Sequence, residues 1–216
     1  MTNYSSLWQD DYWLLIMQAY LQKPAGAKPL YSKAVVGLSL ELHLPPEFIY
    51  GKMLELREAA SPNIKRLWAK YGENRRRLNR DAETVRRMAG FCNMDSFYDG
   101  VAVNESFEKD FRPIPSCGSI TPAMLIMILD LYFRLLPATM KTETPEIQDL
   151  AKLLKVKADD IVEVMNVYQI LDPYLNRNEF MVTPLLRPCQ EIWQRYGNGS
   201  IEELAGHAAD LKEYFS

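Results

Sequence analysis

Sliding this 216-residue chain against itself by 112 positions superimposes most of its apolar pattern, so the fold must be one that can be built twice. Leu14, Leu15, Ile16 and Met17 meet Ile126, Met127, Ile128 and Leu129, and Tyr20 meets Tyr132. The register continues without a gap. Ser32 meets Thr144, Val35 meets Ile147, Leu38 meets Leu150, Leu42 meets Leu154, Leu44 meets Val156, Ile49 meets Ile161 and Met53 meets Met165. Further on, Trp68-Ala-Lys-Tyr71-Gly72 meets Trp193-Gln-Arg-Tyr196-Gly197 at an offset of 125, so the second copy carries 13 more residues before this motif. Two copies are too few for a solenoid, which leaves tandem domains or one pseudo-symmetric domain. The expected organisation is a first helical repeat over 1–90, an aromatic-rich connector over 91–120 and a second repeat over 121–216.

Apolar spacing and capping residues predict the same helices in each copy. The first, about Asp10–Leu21 and Pro122–Leu135, is apolar on most sides and belongs at the centre of a core. The second opens at Ser32 or Thr144, both good N-caps, with Pro145 at the first helical position of the later copy. The third starts near Pro46 or Ala158, with Ile49, Met53 and Leu56, or Ile161, Met165 and Tyr168, facing inward. A fourth segment follows the Trp-Tyr-Gly motif, about Asn79–Met88 and Ile201–Phe215, the latter opened by the capping box Ser200-Ile-Glu-Glu203.

Leu150–Met165 resembles the helix-turn-helix pattern of DNA-binding regulators. Ala151 falls where that family needs a small residue for close helix crossing, Val156 on the buried turn position, and Ile161 and Val164 on the inward face of the would-be recognition helix. Lys155 stands where glycine is usual. In copy one Ser39, Leu44 and Ile49 fit, while His43 replaces the glycine and Lys52 an apolar position. Leu171–Val182, with apolar flanks around Asn176-Arg177-Asn178, is similar to the short β wing of winged-helix proteins, placing that wing near 170–183. The resemblance implies a mainly α fold of two diverged tandem helix-turn-helix-like units, winged or not, packed together. It does not fix a role, because one fold serves many. The would-be recognition helices are acidic, with Asp159, Asp160 and Glu163 in copy two and Glu47, Glu55 and Glu58 in copy one. Carboxylates repel phosphates, which disfavours ordinary major-groove binding.

Charge is unevenly distributed. Residues 1–90 carry 14 Lys/Arg and 9 Asp/Glu, a net +5, while residues 91–216 carry 11 and 19, a net −8. Such asymmetry steers partners or docks one half on the other. The basic excess concentrates in Asn63–Met88, where Lys65, Arg66, Lys70, Arg75, Arg76, Arg77, Arg80, Arg86 and Arg87 face only Glu73, Asp81 and Glu83. With Trp68 and Tyr71 interleaved, this segment could track a phosphate backbone and stack bases. Both rings recur in copy two without the cations, however, which favours a core role for them. The arginines could equally pair with the acidic half or with a second subunit.

Catalytic signatures are missing. His43 and His207 have no second ligand at metal spacing, and there is no Gly-rich phosphate loop or Gly-x-Ser-x-Gly turn. Cys117, in Pro115-Ser-Cys-Gly-Ser119, is the one nucleophile candidate in a loop and lacks an identifiable base. Cys92, Cys117 and Cys189 are odd in number and unpaired in spacing, which reads as reduced thiols. Ala123–Ala138 is broken by Asp130 and Arg134 and is too short to span a bilayer, and Met1–Trp13 lacks a signal-peptide pattern. In the connector, Phe91, Phe97, Tyr98, Phe107 and Phe111 predict packing across both copies rather than a free linker. The expectation is a cytoplasmic, non-enzymatic binding protein without cofactor or membrane contact. It would act through a protein partner or self-association, with nucleic acid as the alternative partner.

Overall fold

The computed structural model describes residues 8–88, 91, 107–115, 117–175 and 182–216. The chain divides into two compact units, Met1–Val103 and Asn104–Ser216, a boundary inside the segment read from sequence as connector. Eleven α-helices occur among the described residues, and the only β pairing there is an isolated bridge between Ile114 and Cys117. No helix among the described residues is long and apolar enough to cross a membrane.

The first unit contains α1 (Tyr12–Leu21), α2 (Lys33–Leu42), α3 (Pro46–Arg57), α4 (Pro62–Tyr71) and α5 (Arg75–Arg86). Helix α1 is its centre, packing against α2, α3 and α5. Leu15, Ile16 and Met17 of α1 are completely buried, together with Val35, Ile49, Met53 and Leu56 of the neighbouring helices. Each such side chain contributes about 1.5–3 kcal/mol on leaving water, and this burial holds three short helices together. Hydroxyl caps fix where helices begin. Ser32 Oγ accepts from the Val35 N–H at 3.4 Å, and Ser61 Oγ accepts from the Ile64 N–H at 3.2 Å, followed by Pro62 at the first helical position.

The second unit contains α6 (Glu108–Phe111), α7 (Pro122–Arg134), α8 (Pro145–Leu154), α9 (Ala158–Leu171), α10 (Leu186–Ile192), which runs on as a π turn through Trp193–Gly197, and α11 (Ile201–Phe215). Here α7 is the centre, buried from Leu125 to Leu129 and packed against α8, α9, α10 and α11. Thr121 Oγ1 caps α7 by accepting from the Met124 N–H at 3.3 Å, and Ser200 Oγ caps α11 by accepting from the Glu203 N–H at 3.2 Å. Thr144 departs from its expected capping role. Its hydroxyl donates to the Thr139 carbonyl instead, and Pro145 alone marks the start of α8.

The two units share element boundaries. Helices α2 and α8 start at Lys33 and Pro145 and end at Leu42 and Leu154, while α3 and α9 start at Pro46 and Ala158. All three pairs lie 112 positions apart. His43 and Lys155, also 112 apart, are each left-handed, with φ of 54° and 58°. A side chain in that region costs about 1–2 kcal/mol, so each turn holds a strained non-glycine residue between its second and third helices. At the crossing of these helices sit Ser39, completely buried, and Ala151, 6% exposed.

Sequence reading places a fourth segment after the Trp-Tyr-Gly motif; the motif itself closes α4 in the first unit and forms the π turn of the second. Trp68 packs edge-on to Tyr20 at 5.8 Å and 85°, and Trp193 packs on Tyr132 at 6.0 Å and 72°. The motif glycines make room for those indoles. A Cβ on Gly197 would stand 2.6 Å from the Trp193 ring, and one on Gly72 would stand 3.2 Å from that of Trp68.

Two expectations fall partly outside the described residues. Phe97 and Tyr98 of the connector lie there, while Phe91 meets Tyr12 edge-on at 5.9 Å and Phe111 meets Tyr214 at 5.0 Å. The proposed wing tip, Asn176-Arg177-Asn178, also lies there. Its leading flank is not extended. Leu171 ends α9, and the Tyr174 N–H bonds to the Asp172 carboxylate at 2.9 Å in a turn.

Candidate interaction surface

The basic segment folds as the α4–α5 hairpin of the first unit. On α5, Leu78, Ala82 and Val85 are buried at a spacing of four and three residues. The opposite side of that helix therefore carries Arg76, Arg80 and Arg87, with Glu83 among them. On α4, Ile64 and Tyr71 point inward. Lys65, Arg66, Lys70, Arg75, Arg76, Arg77, Arg80 and Arg87 are all exposed, and only Arg86 is half-buried.

Their partners sort these cations into two groups. Arg86 is held by the Glu41 carboxylate and by the Gln18 side-chain carbonyl at 2.8 Å, a clamp between α5, α2 and α1. Arg87 pairs with Glu83 at 3.1 Å, and Asp81 takes Arg80 at 3.2 Å and Arg77 at 3.8 Å. The Asp81 carboxyl is held below its ordinary value, first by the Tyr71 hydroxyl donating at 2.9 Å and then by Arg80. The other five have no carboxylate partner among the described residues. Arg66 donates to the Asn63 side chain at 2.9 Å, Lys70 lies 4.8 Å from the Tyr71 ring centre and Arg75 donates to the Leu21 carbonyl. Lys65 and Arg76 project without any described partner.

The aromatics of the segment do not join that surface. Tyr71 is 4% exposed, and the Trp68 indole N–H donates to the Leu56 carbonyl at 2.9 Å, so both rings serve the core. This removes the base-stacking platforms that interleaving had suggested. The surface is one of charge alone.

Helix α5 also begins against electrostatic preference. Arg75, Arg76 and Arg77 occupy its first turn, where the helix dipole is positive and acidic side chains are favoured. The second unit follows the rule at the related place, since α11 starts with Glu202 and Glu203 in its first turn. There, 125 positions beyond the basic residues, Gln190, Glu191, Ser200, Ile201, Glu202 and Ala205 replace Lys65, Arg66, Arg75, Arg76, Arg77 and Arg80. Arg195, which replaces Lys70, is bound at 2.7 and 2.8 Å by the Asp110 carboxylate. The second unit thus forms helices at these positions without the exposed cations of the first.

Groups with chemical potential elsewhere are disarmed. Burial, with Glu163 and Asp160 adding to it, raises the Cys117 thiol above its ordinary value, and burial pushes Cys189 up to about 12. A nucleophilic cysteine needs the opposite shift. His207 stacks on Tyr196 with ring centres 5.8 Å apart. Among the described residues no cluster of three or more His, Cys, Asp or Glu side chains could hold a metal. A groove of about 330 Å³ in the second unit is lined by Met127, Leu131, Leu150 and Leu153 together with Asp130, Arg134 and Lys212. Asp130 is 4% exposed and bound to Arg134, so the groove's buried carboxylate is committed to an ion pair. No family model, curated protein or solved structure matches the chain.

Proposed function

We propose that the protein is a non-enzymatic, cytoplasmic binding module of two diverged helix-turn-helix-like units, a regulatory or adaptor protein that docks an acidic protein segment on its α4–α5 face. Support for the duplicated unit comes from the matched starts of the second and third helices and from the left-handed residue at His43 and at Lys155. One observation carries the binding role: five exposed cations without carboxylate partners among the described residues lie on one hairpin, three arginines crowd a helix start that disfavours them, and the related positions of the second unit lack them. A face that the fold does not need, and that costs some stability, is best explained by a ligand of opposite charge.

An acidic protein suits this face better than nucleic acid. Asp81 and Glu83 sit among the arginines, where they would repel phosphates but can pair with a partner's lysines. Both aromatic rings are turned into the core. Nucleic acid is the second reading, favoured by the run Arg75–Arg77 at the positive end of α5.

A titration separates the two readings. The full chain is mixed with a labelled Glu-rich helical peptide, with duplex DNA and with single-stranded RNA, at about 50 and 200 mM salt, where phosphate-driven binding differs most. Each exposed ion pair is worth roughly 0.5–1 kcal/mol, so changing Arg75, Arg76 and Arg77 to Glu should weaken peptide binding roughly 10- to 150-fold. Peptide binding indifferent to that triple change rejects the face. Nucleic-acid binding that falls steeply with salt while the peptide fails to bind establishes the second reading instead.

A further inference from the structure

We propose that Trp8, Trp13, Phe48 and Glu55 form a binding site for a quaternary or methylated alkylammonium group, and that Lys52 closes this site in the free protein. The proposal is independent of the basic face on α4 and α5, since the site lies on the start of α1 and along α3.

The Lys52 ammonium stands over three rings at once, 5.2 Å from the ring centre of Trp8, 5.4 Å from Trp13 and 5.4 Å from Phe48. All three distances fall within the range where a cation is drawn to the negative face of an aromatic ring. The rings are steeply inclined, Trp8 to Trp13 at 77° and Trp8 to Phe48 at 54°, so they enclose a box rather than a stack. Glu55 closes the remaining side at 2.8 Å from the ammonium. Three aromatic faces and one carboxylate are the composition that recognises quaternary ammonium ligands. None of the three rings is fully buried and the Lys52 side chain is 19% exposed, so the box has a mouth towards solvent.

The fold itself has no use for such a box. Residues 112 positions beyond Trp8, Trp13, Lys52 and Glu55 are Ile120, Leu125, Val164 and Val167, each 6% exposed or less. The second unit fills four of the five matching positions with hydrocarbon, and Asp160 stands at the fifth, where the first unit has Phe48. In the first unit the same place carries two indoles, a lysine and a glutamate.

Lys52 is a weak occupant by nature. A primary ammonium is compact and strongly hydrated, and its four-carbon stem is flexible. Methyl groups spread the charge and lower the cost of leaving water, so ring faces gain on solvent as methylation proceeds. A trimethylated ammonium from outside should therefore displace Lys52, which can swing outward towards solvent with Glu55, itself 45% exposed.

The test titrates the full chain with tetramethylammonium chloride, with a peptide bearing Nε-trimethyl-lysine and with its unmethylated counterpart, each against matched sodium chloride. Tryptophan emission and calorimetry are the readouts. The expected result is that Lys52→Gln and Lys52→Ala bind both methylated probes at least tenfold more tightly than the wild-type chain, with the unmethylated peptide at least tenfold weaker. Adding Trp8→Ala should abolish this binding; Trp8 precedes α1 and belongs to no helix, so its loss should leave the circular dichroism spectrum unchanged. Tetramethylammonium binding without preference for the peptide identifies a free small cation as the ligand, and a peptide preference above tenfold identifies a modified side chain. If neither Lys52 variant folds, wild type against Trp8→Ala decides by the same loss. A folded Lys52→Gln chain that binds the methylated probes no better than wild type, or binding indifferent to Trp8→Ala, overturns the proposal.

Discussion

Ser39 offers a quantitative test of the crossing between α2 and α3. Its hydroxyl is completely buried, and Oγ has no hydrogen-bond partner among the described residues. Burying an unsatisfied hydroxyl costs about 1–3 kcal/mol. Replacing Ser39 by Ala removes that cost and improves helix propensity by about 0.5 kcal/mol. Against these gains stands the lost packing of one oxygen and the small void it leaves, roughly 0.5–1 kcal/mol. The expected balance is a stabilisation of about 0.5–3 kcal/mol, with a rise in Tm of about 4–8 °C per kcal/mol for a unit of this size. Urea denaturation followed by tryptophan emission reads the first unit well, because Trp8, Trp13 and Trp68 lie there and only Trp193 does not. The reciprocal change, Ala151→Ser, installs the same hydroxyl at a buried crossing in the second unit and should cost about 1–2 kcal/mol. Destabilisation by Ser39→Ala would show that the hydroxyl has a partner and that the reasoning is wrong. A neutral Ala151→Ser would show that the two crossings are not alike.

The remaining expectations concern the turns and the buried thiol. His43→Gly and Lys155→Gly relieve left-handed strain of about 1–2 kcal/mol each but give the unfolded chain back about 0.4–1 kcal/mol of entropy, so each should stabilise by about 0.5–1 kcal/mol. Valine at either position should cost at least 1 kcal/mol, measured by the same denaturation. Cys189 is raised from an ordinary value of 9.0 to about 12 by burial. The unfolded state therefore loses this proton first as pH rises. Stability that is full below pH 9 should fall between about 9 and 12, and Cys189→Ala should flatten that slope. Iodoacetamide at pH 8, with the labelled site mapped by mass spectrometry, should reach Cys189 only after denaturation.

Much of the helical framework was legible from a few residues whose physics is local. Ser32 and Pro145 announced α2 and α8, and Pro46 announced α3, because caps and prolines act on the backbone next to them. The apolar spacing of Leu78, Ala82 and Val85, which turns Arg76, Arg80 and Arg87 outward, went unread because the helix was started past Leu78. The start of α5 was misplaced at Asn79. The helix starts at Arg75, four residues earlier, capped by Asn74, which accepts from the Arg77 N–H at 3.0 Å, and three arginines in a first turn argue against a helix there by the usual dipole preference. Helix α4 was missed although Ser61-Pro62 is a cap followed by a first-turn proline. Arg86 could not be told from Arg87 in sequence, since its burial depends on Glu41 and Gln18, 45 and 68 residues away.

The ring box around Lys52 was illegible for the same reason, and its position explains why it matters. Comparison with the helix-turn-helix pattern marked Lys52 only as a polar residue at an apolar position. What makes that departure meaningful is the arrival of Trp8 and Trp13 from α1 and its approach, a contact that no local pattern encodes. On the duplicated reading, both notable features of the first unit, the α4–α5 cations and the ring box, occur where the second unit has ordinary helix-start carboxylates or, at four of the five box positions, hydrocarbon. A fold that closes in the second unit without either feature does not demand them in the first. If recognition belongs to the first unit, as proposed, the second unit is the natural control: equivalent substitutions there should alter stability and leave binding unchanged.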